Sequence, residues 1–303
     1  MTNRVWVPES VVGDGRFRLL ELTGVDERDN AQLWRARDGR SRRDVALTIV
    51  SGEGTEGGRR GLHALKRSVH RSALRHPGVA PVLDVVGGGA DEGIGGIVVA
   101  EWTRGTAMSD VVARYPVDPV HACWLLDPLT EAVSKAHRHG VVLGVGHPLR
   151  IRVSPAGTLR LAFPGPPREA DLADDVRGLG AILYFLLTGT WPAEDGPLPT
   201  PRELEPAVPV ELSEVAMRSL VDTRDGGVRT SDTILRVLRE VRQKPLAVSE
   251  TREPDSNGAV WLTKPPVTDP ERRKKLAIAV AVLVLLAIGV VLWIGLTVIG
   301  VFL

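Results

Sequence analysis

The chain has 303 residues, room for one large domain or two small ones plus an accessory segment. Lys and Arg total 38 against 37 Asp and Glu, so no bulk charge drives binding to nucleic acid. The single cysteine, Cys123, excludes an intramolecular disulfide and a cysteine-rich zinc site. No apolar stretch follows Met1, so a cleaved signal peptide is not expected.

In chain order, residues 1–13 read as a tail. Phe17–Leu22 alternates like a strand, and Leu33–Asp38 and the β-branched run Val45–Val50 read as the next two. A helix is expected from about Arg59 to Leu74, stopped by His76-Pro77-Gly78. Pro81–Val86 and Ile97–Trp102 read as two further strands. The second half is helical. Ala122–His139 is amphipathic and stops at Gly140, Asp175–Gly189 is apolar almost all round, and Val210–Leu220 and Thr230–Arg242 close the region. Trp34, Trp102, Trp124 and Trp191 fall at strand, helix or connecting positions, where core packing is the expected use. Strands followed by helices make an α+β arrangement.

Residues 244–275 are rich in Pro, Ser, Thr, Asp and Asn without an apolar period, as in a flexible linker. The run Leu276–Leu303 carries no charge, and Thr297 is its one clearly polar side chain. That is long enough for a single transmembrane helix with some tilt. Arg272, Arg273, Lys274 and Lys275 stand directly before it, which predicts a cytoplasmic N-terminal region.

Residues 14–243 resemble the protein-kinase fold in the order of their landmarks, with an N-lobe of about 14–102 and a C-lobe of about 103–243. The fold expected is therefore a bilobal protein-kinase-like α+β domain, a linker and one membrane helix. Asp175 matches the buried helix aspartate that holds the catalytic-loop backbone, and Arg229 a structural arginine. Kinase chemistry needs a phosphate-cradling glycine loop, a lysine held by a helix glutamate, a catalytic aspartate, and an asparagine and an aspartate for magnesium. The glycine positions hold Asp26, Arg28 and Ala31. Asp26, Glu27 and Asp29 are expected to repel a triphosphate. The lysine position is Thr48, its glutamate partner Arg67, the base Val145, and the metal positions Arg150 and Phe163. His147, the titratable residue near the base position, is read as structural. Arg150 and Arg152 share a strand face, which points Arg152 into the adenine slot; a one-residue slip puts Ile151 or Val153 there instead.

The expectation from these substitutions is a catalytically inactive, membrane-anchored scaffold with no metal and no cofactor. Its rivals are a divergent Ser/Thr kinase-like transferase that binds ATP, and a membrane adaptor without a phospho-switch.

Val45–Thr48, Val98–Gly105, His147–Ser154 and Asp174–Gly180 resemble the pseudokinase domain of actinobacterial MviN (MurJ-type) proteins. That resemblance implies a cytoplasmic domain at the cell membrane in peptidoglycan synthesis. It implies a MurJ-type lipid II flippase as partner, an upstream membrane Ser/Thr kinase, and an FHA-domain protein that reads a phosphothreonine. The candidate phosphoacceptors are Thr251, Thr263 and Thr268, with Thr251 favoured because it lies just beyond the last helix. With one span, the chain is not itself a flippase.

Overall fold

The computed structural model describes residues 6–28, 30–51, 56–70, 75–87, 93–112, 116–166, 171–193, 196–222 and 225–243. All belong to the first of two units, Met1–Ala247. The linker, Leu276–Leu303 and the four basic residues before it lie outside the described residues, as do Thr251, Thr263, Thr268 and Asp29. Among the described residues no helix is long and apolar enough to cross a membrane.

The N-terminal half is an antiparallel sheet. Its strands are β1 (Val11–Val12), β2 (Phe17–Asp26), β3 (Ala31–Asp38), β4 (Asp44–Ser51), β5 (Val82–Gly87) and β6 (Ile94–Glu101), in spatial order β1-β2-β3-β4-β6-β5. Alternation along β3 sorts its side chains to two faces. Trp34 and Ala36 join Phe17, Leu19, Leu47 and Ile97 in an outer cluster. Leu33 faces the other way, against Ala46, Ala100 and Phe163. Helix α1 (Glu56–His70) follows β4, and its Leu65 is fully buried.

The C-terminal half begins with the short β7 (Thr106–Ala107) and α2 (Met108–Val112). Helix α3 (Pro119–Arg138) starts at Pro119 rather than Ala122. The Asp118 side chain accepts from the amides of Val120 and His121, and Pro119 has no amide to satisfy. A small sheet, β7-β8-β9, pairs β7 with β8 (Ile151–Val153) and β9 (Leu159–Leu161). Helix α4 (Leu172–Thr188) is capped by Asp171 and ended by Gly189 at φ 73°. It is buried along most of its length, which is why its sequence shows no polar face. Its Gly178 is required: a Cβ there would lie 2.9 Å from the Gly146 backbone. Helices α5 (Pro201–Leu204), α6 (Val210–Leu220) and α7 (Ser231–Gln243) complete the half. A two-lobed, strand-then-helix kinase-like architecture is therefore present.

The tryptophans divide. Trp34 is fully buried, whereas Trp124 is 55% exposed and lies under the Arg242 guanidinium at 3.7 Å. Trp124 thus departs from the expected core role. Arg242 also binds Asp127, which brings the cation over the ring.

Asp175 anchors the loop between α3 and β8. Its carboxylate accepts from the amides of Leu143 (2.8 Å), Gly144 (2.8 Å) and Val145 (3.1 Å), and contacts His137 Nε2 at 3.1 Å. Asp175→Asn places an amide NH2 among these donors and is expected to cost about 3 kcal/mol. Urea unfolding of the full chain in detergent measures this; unchanged stability would remove Asp175 as the anchor.

Candidate functional site between the two lobes

The cleft brings together Asp26, Thr48, Arg150 and the segment Phe163-Pro164-Gly165. Arg150 closes a 3-10 turn, Pro148–Arg150, that leads into β8. Its side chain is fully buried. Nε donates to Asp26 Oδ2 at 2.7 Å, and an Nη donates to the Gly165 carbonyl at 2.9 Å. Asp26 ends β2 in the N-terminal lobe and is likewise buried. A charged pair is thus shut between the lobes, each charge matched by the other. Asp26 was expected to face a triphosphate and repel it; instead its carboxylate is turned inward onto Arg150.

Thr48, on β4, is buried and its hydroxyl donates to the Pro164 carbonyl at 3.0 Å. The segment Phe163-Pro164-Gly165 runs beneath it, with the Gly165 amide donating to the Leu143 carbonyl at 2.9 Å. Phe163 packs edge-on against Trp102, with ring centroids 6.2 Å apart. Leu149 presses on β2 so closely that a Cβ at Gly24 would lie 2.6 Å from Leu149 Cδ1. The glycine at 24 therefore serves lobe contact.

The remaining expected positions are not all brought together. Ala31 is buried at the start of β3, and Val145 is buried in the C-terminal core. Arg28 is exposed in the turn between β2 and β3, and Arg67 is exposed on α1. Arg229 is exposed before α7 and lines a cavity of about 450 Å3 with Glu211, Arg218 and Thr233. Arg152 lies on β8 with its guanidinium 5.1 Å from the Trp102 ring centre. It donates to the Gly105 carbonyl, while Ile151 and Val153 are buried on the other side of the strand. Burial pushes the Arg152 pKa below its ordinary value, against Glu21 and Asp110, which raise it.

His147 caps the 3-10 turn. Its Nδ1 accepts from the Leu149 amide at 3.3 Å, so that lone pair is already used. Burial pushes its pKa below the ordinary histidine value, opposed by Asp26 and assisted by Arg150. With Nδ1 accepting, the neutral ring carries its proton on Nε2.

A magnesium nucleotide held in the kinase manner does not fit these residues. Thr48, Val145, Arg150 and Phe163 supply neither an amine nor a carboxylate, and the Asp26 carboxylate is committed to Arg150. Among the described residues no group of three or more His, Cys, Asp or Glu side chains could hold a metal.

Sequence reasoning missed the Arg150–Asp26 pair. The partners are 124 positions apart, and no local pattern links them. Removing one member strands the other charge, so Arg150→Met is expected to destabilise the fold by about 3–5 kcal/mol. Arg150→Met combined with Asp26→Leu should recover most of that loss. Denaturant titration decides; a double variant as unstable as the two single losses added would refute the pairing.

No family model matches the chain. It is 24% identical over 306 aligned positions to the serine/threonine-protein kinase PknB of Mycolicibacterium smegmatis, covering 86% of this chain and 46% of that protein. It is 25% identical over 266 positions to the serine/threonine-protein kinase pkn2 of Myxococcus xanthus, covering 71% and 30%. It is 27% identical over 264 positions to the DNA damage-responsive serine/threonine-protein kinase RqkA of Deinococcus radiodurans, covering 70% and 37%. The chain spans less than half the length of these relatives. They overturn the expectation of a catalytically inactive scaffold, because each carries the name of a Ser/Thr kinase and the similarity extends across both lobes. The expectation erred by weighing a few substituted positions above the similarity of the chain as a whole. With the two-lobed fold and the Asp175 anchor, the similarity to these relatives supports a protein-kinase-like fold.

Proposed function

We propose that this protein is a divergent Ser/Thr kinase-like transferase working at a membrane surface. The observation that carries the reading is the similarity to a named Ser/Thr kinase over 86% of the chain. Phosphoryl transfer asks a protein mainly to position and electrostatically stabilise the reacting groups, and a two-lobed scaffold serves that purpose. The kinase set of amine, base and metal ligands is not found at Thr48, Val145, Arg150 and Phe163, so transfer on this scaffold uses other groups. Losing such interactions lowers rates by orders of magnitude.

The membrane location rests on the uncharged run Leu276–Leu303 and the basic residues 272–275. The same sequence supports a cytoplasmic kinase-like domain, 14–243, joined by the linker 244–275. We further propose the linker threonines Thr251, Thr263 and Thr268 as acceptors for an upstream membrane Ser/Thr kinase. An FHA-domain protein and a MurJ-type flippase are the partners that the resemblance to MviN proteins suggests. A phosphate on the linker adds about −1.5 to −2 charge and three acceptor oxygens, which suits an arginine-lined phosphopeptide pocket.

The test uses the full chain purified from carbonate-washed membranes and incubated with γ-labelled ATP and Mg2+ or Mn2+. Label is expected on Ser or Thr at a rate at least about 100-fold below the 1–100 s−1 usual for kinases. Incorporation no higher than in heat-denatured protein contradicts the transferase reading. Release of the chain into the carbonate supernatant contradicts the anchor.

A further inference from the structure

A second site lies outside the cleft, where the outer ends of β3 and β4 meet the segment after β6. It is a cavity of about 370 Å3 walled by Arg35, Arg37, Arg42, Arg43 and Arg104, with Trp102 at its side. Five arginines line it against two acidic residues, Asp44 and Glu101. Asp44 is already engaged by Arg35 at 2.6 Å and by Arg37 at 2.7 Å. Among the described residues, the guanidinium groups of Arg42, Arg43 and Arg104 have no carboxylate partner.

The cavity is built rather than accidental. Arg42 sits at φ 55°, a left-handed conformation that a non-glycine residue adopts at a cost. The turn is held there by Asp38, whose carboxylate accepts from the Arg40 amide and the Ser41 hydroxyl, both at 2.9 Å. The Asp38 backbone carbonyl accepts from the Arg42 amide at 2.8 Å. Burial works to raise the Asp38 pKa, but these donors and Arg16 outweigh it and hold the carboxyl at about 2. The turn therefore stays tied throughout the neutral range. On the other wall, Arg35 and Arg152 lie 5.3 and 5.1 Å from the Trp102 ring centre, which fixes the ring's orientation.

We propose that this cavity is a binding site for a phosphate group, carried by a phosphorylated side chain or by a free phosphate compound. Arginine presents planar pairs of donors that match phosphate oxygens two at a time, and a dianion answers the surplus of positive charge. Arg42, Arg43 and Arg104 line the cavity from two separate segments, which suits a group with three oxygens. A monocarboxylate would leave most of that charge unmatched. The site shares only Trp102 with the cleft and is read by binding alone, so it stands or falls independently of the transferase reading.

The experiment is isothermal titration of the full chain in nonionic detergent with inorganic pyrophosphate, O-phosphothreonine and threonine. Both phosphorylated probes should bind and threonine should not. Tighter binding of O-phosphothreonine would assign the phosphate to a phosphorylated side chain, and tighter binding of pyrophosphate to a free phosphate compound; either supports the site. Arg42→Glu together with Arg104→Glu, both on exposed side chains, should weaken binding at least about tenfold. Arg202→Glu, exposed on α5, should leave it within about twofold. Absence of binding by both probes, unchanged affinity in the double variant, or an equal loss in Arg202→Glu would overturn the proposal.

Discussion

The relation of the two lobes depends on one buried charge meeting another. Arg150 comes from the helical lobe and Asp26 from the sheet, and neither side chain has access to water. Either alone would carry a large desolvation penalty, so the arrangement is sustained only while the two stay together. The geometry then sets its neighbours. The guanidinium also reaches the Gly165 carbonyl, which holds the segment after Phe163 beneath Thr48. With that segment in place, Phe163 meets Trp102, and Leu149 closes on Gly24. The contact between lobes is thus built from side chains and backbone groups of both.

Asp175 supports this from below. By gathering the amides of residues 143–145 it fixes the backbone just before His147 and the 3-10 turn that delivers Arg150. Its own position follows from α4, which is buried along most of its length and packed so tightly at Gly178 that the helix cannot slide. The chain of constraint runs from an apolar helix, through one carboxylate, to a loop and then to the cross-lobe pair. The scaffold is kinase-like, and polar groups inside its cleft bond to one another across the lobes.

Much of the architecture was legible because local chemistry and final structure agree. Val45–Val50 is β-branched and forms β4, and the apolar segment before Gly189 forms α4 with a left-handed glycine at its end. Errors arose where a side chain reaches beyond its own element. The start of α3 moved to Pro119 because Asp118 caps it, and Trp124 was drawn out of the core by Arg242. At the cleft, the partners of Asp26 and Thr48 could not be read from spacing. Asp26 read as a charge that repels phosphate and Thr48 as the residue at the lysine position. Both are bonded to partners more than 100 positions away. The functional reading failed similarly: the sequence showed which groups were absent, whereas the relatives it resembles are named Ser/Thr kinases.

The most direct test of this account is amide hydrogen exchange on the full chain, comparing the native protein with Arg150→Met. If the buried pair couples the lobes, protection should fall together in residues 22–26 of β2, residues 143–150 of the loop and 3-10 turn, and Gly165, while α4 and α7 keep theirs. Loss confined to the residues beside position 150, with β2 unchanged, would contradict the claim that this pair ties the two lobes.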